Sequence, residues 1–256
     1  MDHIQTDLQN GVFHLILNRP EKKNALTSAM YDALVAEVQR AEADDSIRVL
    51  VLRGNGDSFT AGNDIEDFVQ KPWQGQSVPP AEQFIRAIAF ARKPVIAAAH
   101  GMAVGIGTTI LLHCDLVFAA EETRFLMPFV NLGILPEAGS TLLLPSLIGH
   151  QRAAELLLLA QPFSAQRGYE LGIINRVVPG DQLLSAVNAA AQALAEKPAS
   201  AVCLAKQMMK QHLRSDLERV IREEVLAIAE QLESPETGEA LAAFLQKRKP
   251  DFSRFR

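Results

Sequence analysis

Apolar positions along the chain change rhythm near its midpoint. Up to about residue 120, short continuous apolar runs alternate with stretches of helical spacing. Val12–Leu17, 47–53, 94–99 and 116–119 are short apolar runs that read as strands. Between them, Thr27 stands where a cap belongs, ahead of Met30, Leu34, Val38 and Ala41 at the 3–4 spacing of an amphipathic helix. Residues 82–91 and 108–114 also have helical spacing. Strands separated by helices predict parallel pairing with helices outside, an α/β core. From Ala153 onward, helical patterns cover 151–160, 165–171, 181–196, 199–211, 216–232 and 235–247, and only 175–178 reads as a strand. The expected division is a core over 1–198 and a helical region over 199–256. Residues 69–80, with three prolines and the only tryptophan, form the most irregular loop.

Composition narrows the function classes. The 30 acidic and 25 basic residues leave a net charge of −5, the wrong sign for a nucleic-acid footprint or a polybasic membrane anchor. The two cysteines, Cys114 and Cys203, sit far apart in apolar surroundings with no Cys/His cluster, so neither a zinc scaffold nor a disulfide framework is expected. A polar amino terminus and the absence of a long apolar run predict a soluble cytoplasmic protein without signal peptide or membrane span.

Three segments place glycine or proline where a strand should be ending: Phe59–Ile65, His100–Gly107 and Met127–Gly139. A glycine-bearing turn entering a helix leaves backbone N–H groups unpaired, with the positive end of the helix dipole behind them. Two such turns after neighbouring parallel strands can aim two donors at one oxygen, which is an oxyanion hole. Tight strand-to-helix turns alone would use the same glycines. The spacing at 105–107 lacks the third glycine of a dinucleotide fingerprint, and no phosphate-binding Gly-Lys-Ser/Thr occurs.

The run Asn18-Arg19-Pro20, Asn24-Ala25-Leu26, AGND at 61–64, KPVIAAAHG at 93–101 and Cys114-Asp115 resembles the enoyl-CoA hydratase/isomerase (crotonase) superfamily. The likeness continues through Gly139-Ser140-Thr141 to the basic tail after Phe244 and covers nearly the whole chain. It implies a spiral of ββα turns with a carboxyl-terminal helical trimerisation region, and a homotrimer or dimer of trimers. It also implies an acyl-CoA thioester as substrate, with CoA as part of that substrate and no separate cofactor or metal. The oxyanion donors it implies are the backbone N–H groups of Asn63 and Ile106. Ala61, Gly62, Asp64, Ile65, Gly105 and Phe129 would line the substrate, and Lys22, Lys23 and Lys247, with Arg19, would face the CoA phosphates.

Hydratases of this superfamily hold a water between two glutamates. The corresponding positions here are Thr109 and Phe129, so hydration is a poor expectation. One acid remains, Glu137, whose apolar flanks predict a desolvated carboxylate of raised pKa. It matches the base of the peroxisomal-type Δ3,Δ2-enoyl-CoA isomerases, whereas the related ring-epoxide isomerases carry aspartate there. The expected reaction moves a 3-enoyl-CoA double bond to the 2-position through a dienolate, with Glu137 as the single base. Ring-epoxide isomerisation, hydration, thioester hydrolysis and a non-catalytic acyl-CoA-binding or scaffold role remain open. Asp64 is read mainly as a helix cap, and His100 and His113 as core histidines.

Overall fold

The structure, a computed structural model, describes residues 3–70 and 78–255, with backbone alone for 68–70. Its strands are β1 (Ile4–Gln9), β2 (Val12–Leu17), β3 (Val49–Gly54), β4 (Val95–Ala99), β5 (Met102–Val104), β6 (Leu116–Ala120), β7 (Arg124–Leu126), β8 (Phe163–Ser164) and β9 (Arg176–Val178). The helices of the first half are α1 (Ser28–Ala43), α2 (Ile65–Gln70), α3 (Pro80–Ala89), α4 (Ile106–Thr109) and α5 (Ser140–Ile148). Then follow α6 (His150–Leu158), α7 (Ala165–Glu170), α8 (Leu183–Ala195), α9 (Ala199–Lys210), α10 (Arg214–Leu232) and α11 (Pro235–Leu245).

The larger sheet runs β1-β2-β3-β4-β6-β9, antiparallel only at the β1–β2 hairpin, and a smaller sheet joins β5, β7 and β8. Both faces of the central strands are covered. Leu50, Leu52, Val95, Ala97 and Ala99 enter the main core, while Val49, Val51, Ile96 and Ala98 pack against Leu183, Val187 and Ala191 of α8. Burial on both faces is why these strands read as continuous apolar runs. After β4 the chain crosses into the smaller sheet as β5 and returns through α4 to β6, and β6, β7 and the helices after them repeat that path. Mixed α/β turns of this kind carry a carboxyl-terminal run of helices, as expected.

Several boundaries move. The 108–114 helix begins at Ile106 and tightens to a 3-10 turn over Ile110–His113. Thr27 caps α1 through its side chain, accepting from the Met30 N–H at 3.3 Å. Two elements escape the apolar rhythm. β1 is a polar edge strand, and α5 contains Pro145, which reads as a helix breaker. Of the irregular 69–80 stretch, residues 71–77, including the tryptophan, lie outside the described residues.

Candidate active site

Two turns converge because a short length of chain pairs beside β5. Thr60 donates its N–H to the Met102 carbonyl and accepts from the Val104 N–H, each at 3.0 Å, so Thr60 lies opposite Ala103 in parallel register. Three residues further along each segment stand Asn63 and Ile106. Gly62 (φ +87°) and Gly105 (φ +56°) make the bends that precede them. A Cβ on Gly62 would lie 2.6 Å from the Val104 carbonyl oxygen, so the two turns touch where a side chain would hold them apart. Ile106 opens α4, so its N–H has no intrahelical acceptor. Among the described residues, none accepts a hydrogen bond from the Asn63 or Ile106 N–H. Two free donors at neighbouring turns, one of them at a helix start, are the parts of an oxyanion hole.

Glu137 faces the same space. It is 7% exposed and follows Pro136 in the approach to α5. The Thr109 hydroxyl, one helical turn beyond Ile106, donates to Glu137 Oε1 at 2.9 Å. Burial pushes the Glu137 carboxyl up to about 8, the Thr109 hydrogen bond pulls it back, and the nearby Glu224 carboxylate pushes it up again. At neutral pH the group therefore exchanges a proton readily.

A cavity of about 310 Å³ has Glu137, Asn63 and Asp64 in its wall and apolar cover from Phe129, Ile134, Val225 and Ile228. Its other carboxylates are occupied. Asp64 takes Arg19 at 2.7 Å and caps α2 by accepting from the Glu66 and Asp67 N–H groups. Against the upward pull of burial, these partners hold Asp64 below the usual carboxylate range. Asp67 accepts from the Ser28 N–H and hydroxyl, both at 2.7 Å, and Glu82 is paired with Arg86 and Arg222. Glu137, by contrast, is held by the neutral Thr109 hydroxyl.

The expected site residues divide cleanly. Asn63, Asp64, Phe129 and Glu137 line the cavity, whereas Gly62, Gly105 and Ile106 are not in its wall and meet the site only through the turns that hold Asn63 and Thr109. The Phe129 ring comes within 3.9 Å of a Cβ built on Gly105. Ala61 and Ile65 are not in the wall, Ala61 being tied instead to the Lys23 carbonyl at 2.8 Å. Lys22, Lys23 and Lys247 are exposed away from the cavity. Arg19 is corrected from a phosphate contact to a structural cation, because Asp64 and the Ala25 carbonyl take its guanidinium. His113 is a core histidine, with Nε2 2.7 Å from the Ala138 carbonyl oxygen, and burial together with Lys210 lowers its pKa to about 4.

Sequence reasoning missed Tyr31 and the wall formed by α10. Tyr31 is buried and donates its hydroxyl to the Asn63 side-chain oxygen, which steadies the residue whose backbone N–H is unpaired. Burial and the Glu137 charge raise its phenol well above the ordinary value. Its place one residue after Met30, three before Leu34 and seven before Val38 on α1 was the available signal. Val225, Ile228, Ala229 and Leu232 come from α10, about ninety residues beyond Glu137, and nothing local announces them.

Unpaired backbone donors at two neighbouring turns and one buried carboxylate beside a cavity are the makings of an enzyme site. The chain belongs to the Enoyl-CoA hydratase/isomerase family, whose pattern matches residues 7–254. It is 36% identical over 262 residues to a 1,2-epoxyphenylacetyl-CoA isomerase of Escherichia coli (strain K12), covering 99% of each chain. It is 29% identical to the peroxisomal enoyl-CoA delta isomerase 3 of Mus musculus, over 94% of this chain and 77% of that one. Other relatives at comparable distance are named hydratases. The crystal structure of an enoyl-CoA hydratase/isomerase from Pseudoalteromonas atlantica superposes with a TM-score of 0.93 at 37% identity, over 98% of this chain and 100% of that chain. Family members act on acyl-CoA thioesters, and no helix among the described residues is long and apolar enough to cross a membrane.

Proposed function

We propose that this protein isomerises 3-enoyl-CoA to 2-enoyl-CoA, with Glu137 as its only acid–base group. The observation that carries the reading is the isolation of Glu137: a buried carboxylate, raised to about 8, beside a pair of unpartnered backbone donors. The thioester oxygen would accept from the Asn63 and Ile106 N–H groups. Glu137 takes a proton from C2, and the C2–H electron pair spreads over the dienolate and onto that oxygen. The protonated acid then delivers the same proton to C4, and the double bond reforms between C2 and C3. Atoms and charge balance within substrate and base, with no cofactor or metal written into any step. Hydration would need a second acid–base group to hold a water, and Thr109 and the apolar Phe129 stand at the positions where one is sought.

A second reading is ring-epoxide isomerisation, favoured by the name of the relative at 36% identity. The experiment offers 3-hexenoyl-CoA, 2-hexenoyl-CoA and 1,2-epoxyphenylacetyl-CoA to wild type and Glu137→Gln and identifies products by NMR. Conversion of the first that collapses in the variant supports the proposal. Turnover of the epoxide alone selects the second reading, and water addition to 2-hexenoyl-CoA selects hydration.

The same reading assigns a cytoplasmic homotrimer or dimer of trimers serving fatty-acid breakdown of the β-oxidation type. Exposed Leu204, Met208, Met209 and Leu213, on α9 and the turn after it, support burial against other copies. Light scattering at working concentration reads the assembly, and a monomer would contradict it. Lys22 and Lys23 border the Ala61 segment and Lys247 follows α11, and we assign all three to the CoA phosphates. Alanine at each should raise KM for the CoA thioester but not for the matching pantetheine thioester.

A further inference from the structure

The turn that carries Glu137 is held by a carboxylate from the far end of the sequence. Glu224 of α10 is 5% exposed. Its Oε2 accepts from the Gly139 N–H at 2.6 Å, and its Oε1 accepts from the Thr141 N–H at 3.1 Å and the Thr141 hydroxyl at 2.6 Å. These donors belong to the start of α5, where unpaired N–H groups and the helix dipole favour an anion. The turn needs such a hold. Ala138 (φ +62°) and Gly139 (φ +67°) are both left-handed, and Ala138 is a non-glycine residue in that region. Leu217 of α10 closes the other side, its Cδ1 2.3 Å from where a Gly139 Cβ would stand.

We propose that Glu224 is a positioning residue for the catalytic base: by bridging the Gly139 and Thr141 amides it sets the orientation of the Glu137 side chain in the cavity. This rests on the reading of Glu137 as the base. Neighbouring Val225 lines the acyl cavity, so α10 touches the substrate space and the base turn at adjacent residues. The charge also acts directly, since the Glu224 carboxylate opposes ionisation of Glu137. The titratable groups facing Glu137 and its turn are Tyr31 of α1, Asp64 and Asp67 at α2, Glu82 of α3, His113 after α4, and Glu224. Asp64 and Glu82 are neutralised by arginines, and His113 is uncharged near neutrality. Among these carboxylates, Glu224 is the one hydrogen-bonded to the backbone of the turn that carries Glu137.

The test uses Glu224→Gln in the full chain, read in two independent ways. The amide keeps one acceptor for three donors, so kcat for 3-hexenoyl-CoA should fall by roughly tenfold to a hundredfold with KM nearly unchanged, as expected of a misplaced base. Separately, carbon-13 NMR of glutamate-labelled protein without substrate, with the Glu137 signal identified by its loss in Glu137→Gln, should show Glu137 titrating at lower pH than in wild type. Wild-type kcat together with an unmoved Glu137 titration would overturn the proposal. If the wild type turns over no 3-enoyl-CoA, the substrate reading fails while the NMR titration still decides the role of Glu224. Should Glu224→Gln not fold by circular dichroism, Thr141→Val decides: reduced kcat at unchanged KM and melting temperature supports the positioning role, and wild-type kcat refutes it.

Discussion

Burial and two neighbours pull the charge of Glu137 in different directions. Burial and Glu224 disfavour the carboxylate, and the Thr109 hydroxyl favours it. The balance, about 8, suits a group that removes a weakly acidic proton and then returns it. Glu137→Gln preserves shape and removes the base, so kcat should fall by about 10²- to 10⁴-fold, the usual share of general base catalysis. Thr109→Val deletes the one stabilising hydrogen bond, so the rising limb of the pH–rate profile should move to higher pH. A limb that stays in place would detach Thr109 from the titration of the base.

At the scale of elements, the proposed oxyanion geometry depends on two chain segments packed closer than side chains allow. Gly62→Ala must fit a Cβ 2.6 Å from the Val104 carbonyl oxygen at φ +87°. We expect kcat/KM to fall by roughly 10²- to 10³-fold, as when one oxyanion donor is lost. Gly172→Ala is the control: φ is +78°, yet nothing lies within 4 Å of its Cβ. It should lose about 1 kcal/mol of stability through backbone strain, with kcat unchanged in steady-state assays. Equal activity losses in both variants would mean that strain alone, and not the meeting of the two turns, is responsible.

This close approach also explains what the sequence could reveal. β2, α1, β3 and β4 were legible because each has a strong apolar period and buried faces. β1 was not, since five of its six residues are exposed, and β5, β7 and β8 have only two or three residues each. Glu137 was singled out by its apolar flanks together with the family resemblance, and it is buried in the structure. Tyr31 and Glu224 were not, because their roles arise from contacts with Asn63 and with Gly139 and Thr141, 32, 85 and 83 residues away in sequence.

For the molecule as a whole, two of the buried titratable groups beside the turn, Glu137 and His113, oppose each other across the pH scale. Folding raises Glu137 from 4.5 to about 8, so the folded state holds a proton that the unfolded chain releases. That contribution is complete below about 4.5 and is lost as pH rises through 8. His113 is lowered from 6.5 to about 4, so it penalises the folded state as pH falls below 6.5, fully so below 4. Glu137→Gln should therefore melt progressively higher than wild type as pH is raised from about 6 to about 9, by thermal denaturation. A difference independent of pH would show that Glu137 does not titrate inside the fold.

The central claim is that one buried carboxylate performs the whole proton transfer. The most direct measurement is kcat/KM for 3-hexenoyl-CoA against pH, for wild type and Glu137→Gln together. The account predicts a wild-type rate that climbs with a single ionisation near 8 and then levels, and a residual rate in the variant without that climb. A climb that survives in Glu137→Gln would assign the base to another residue and contradict the account.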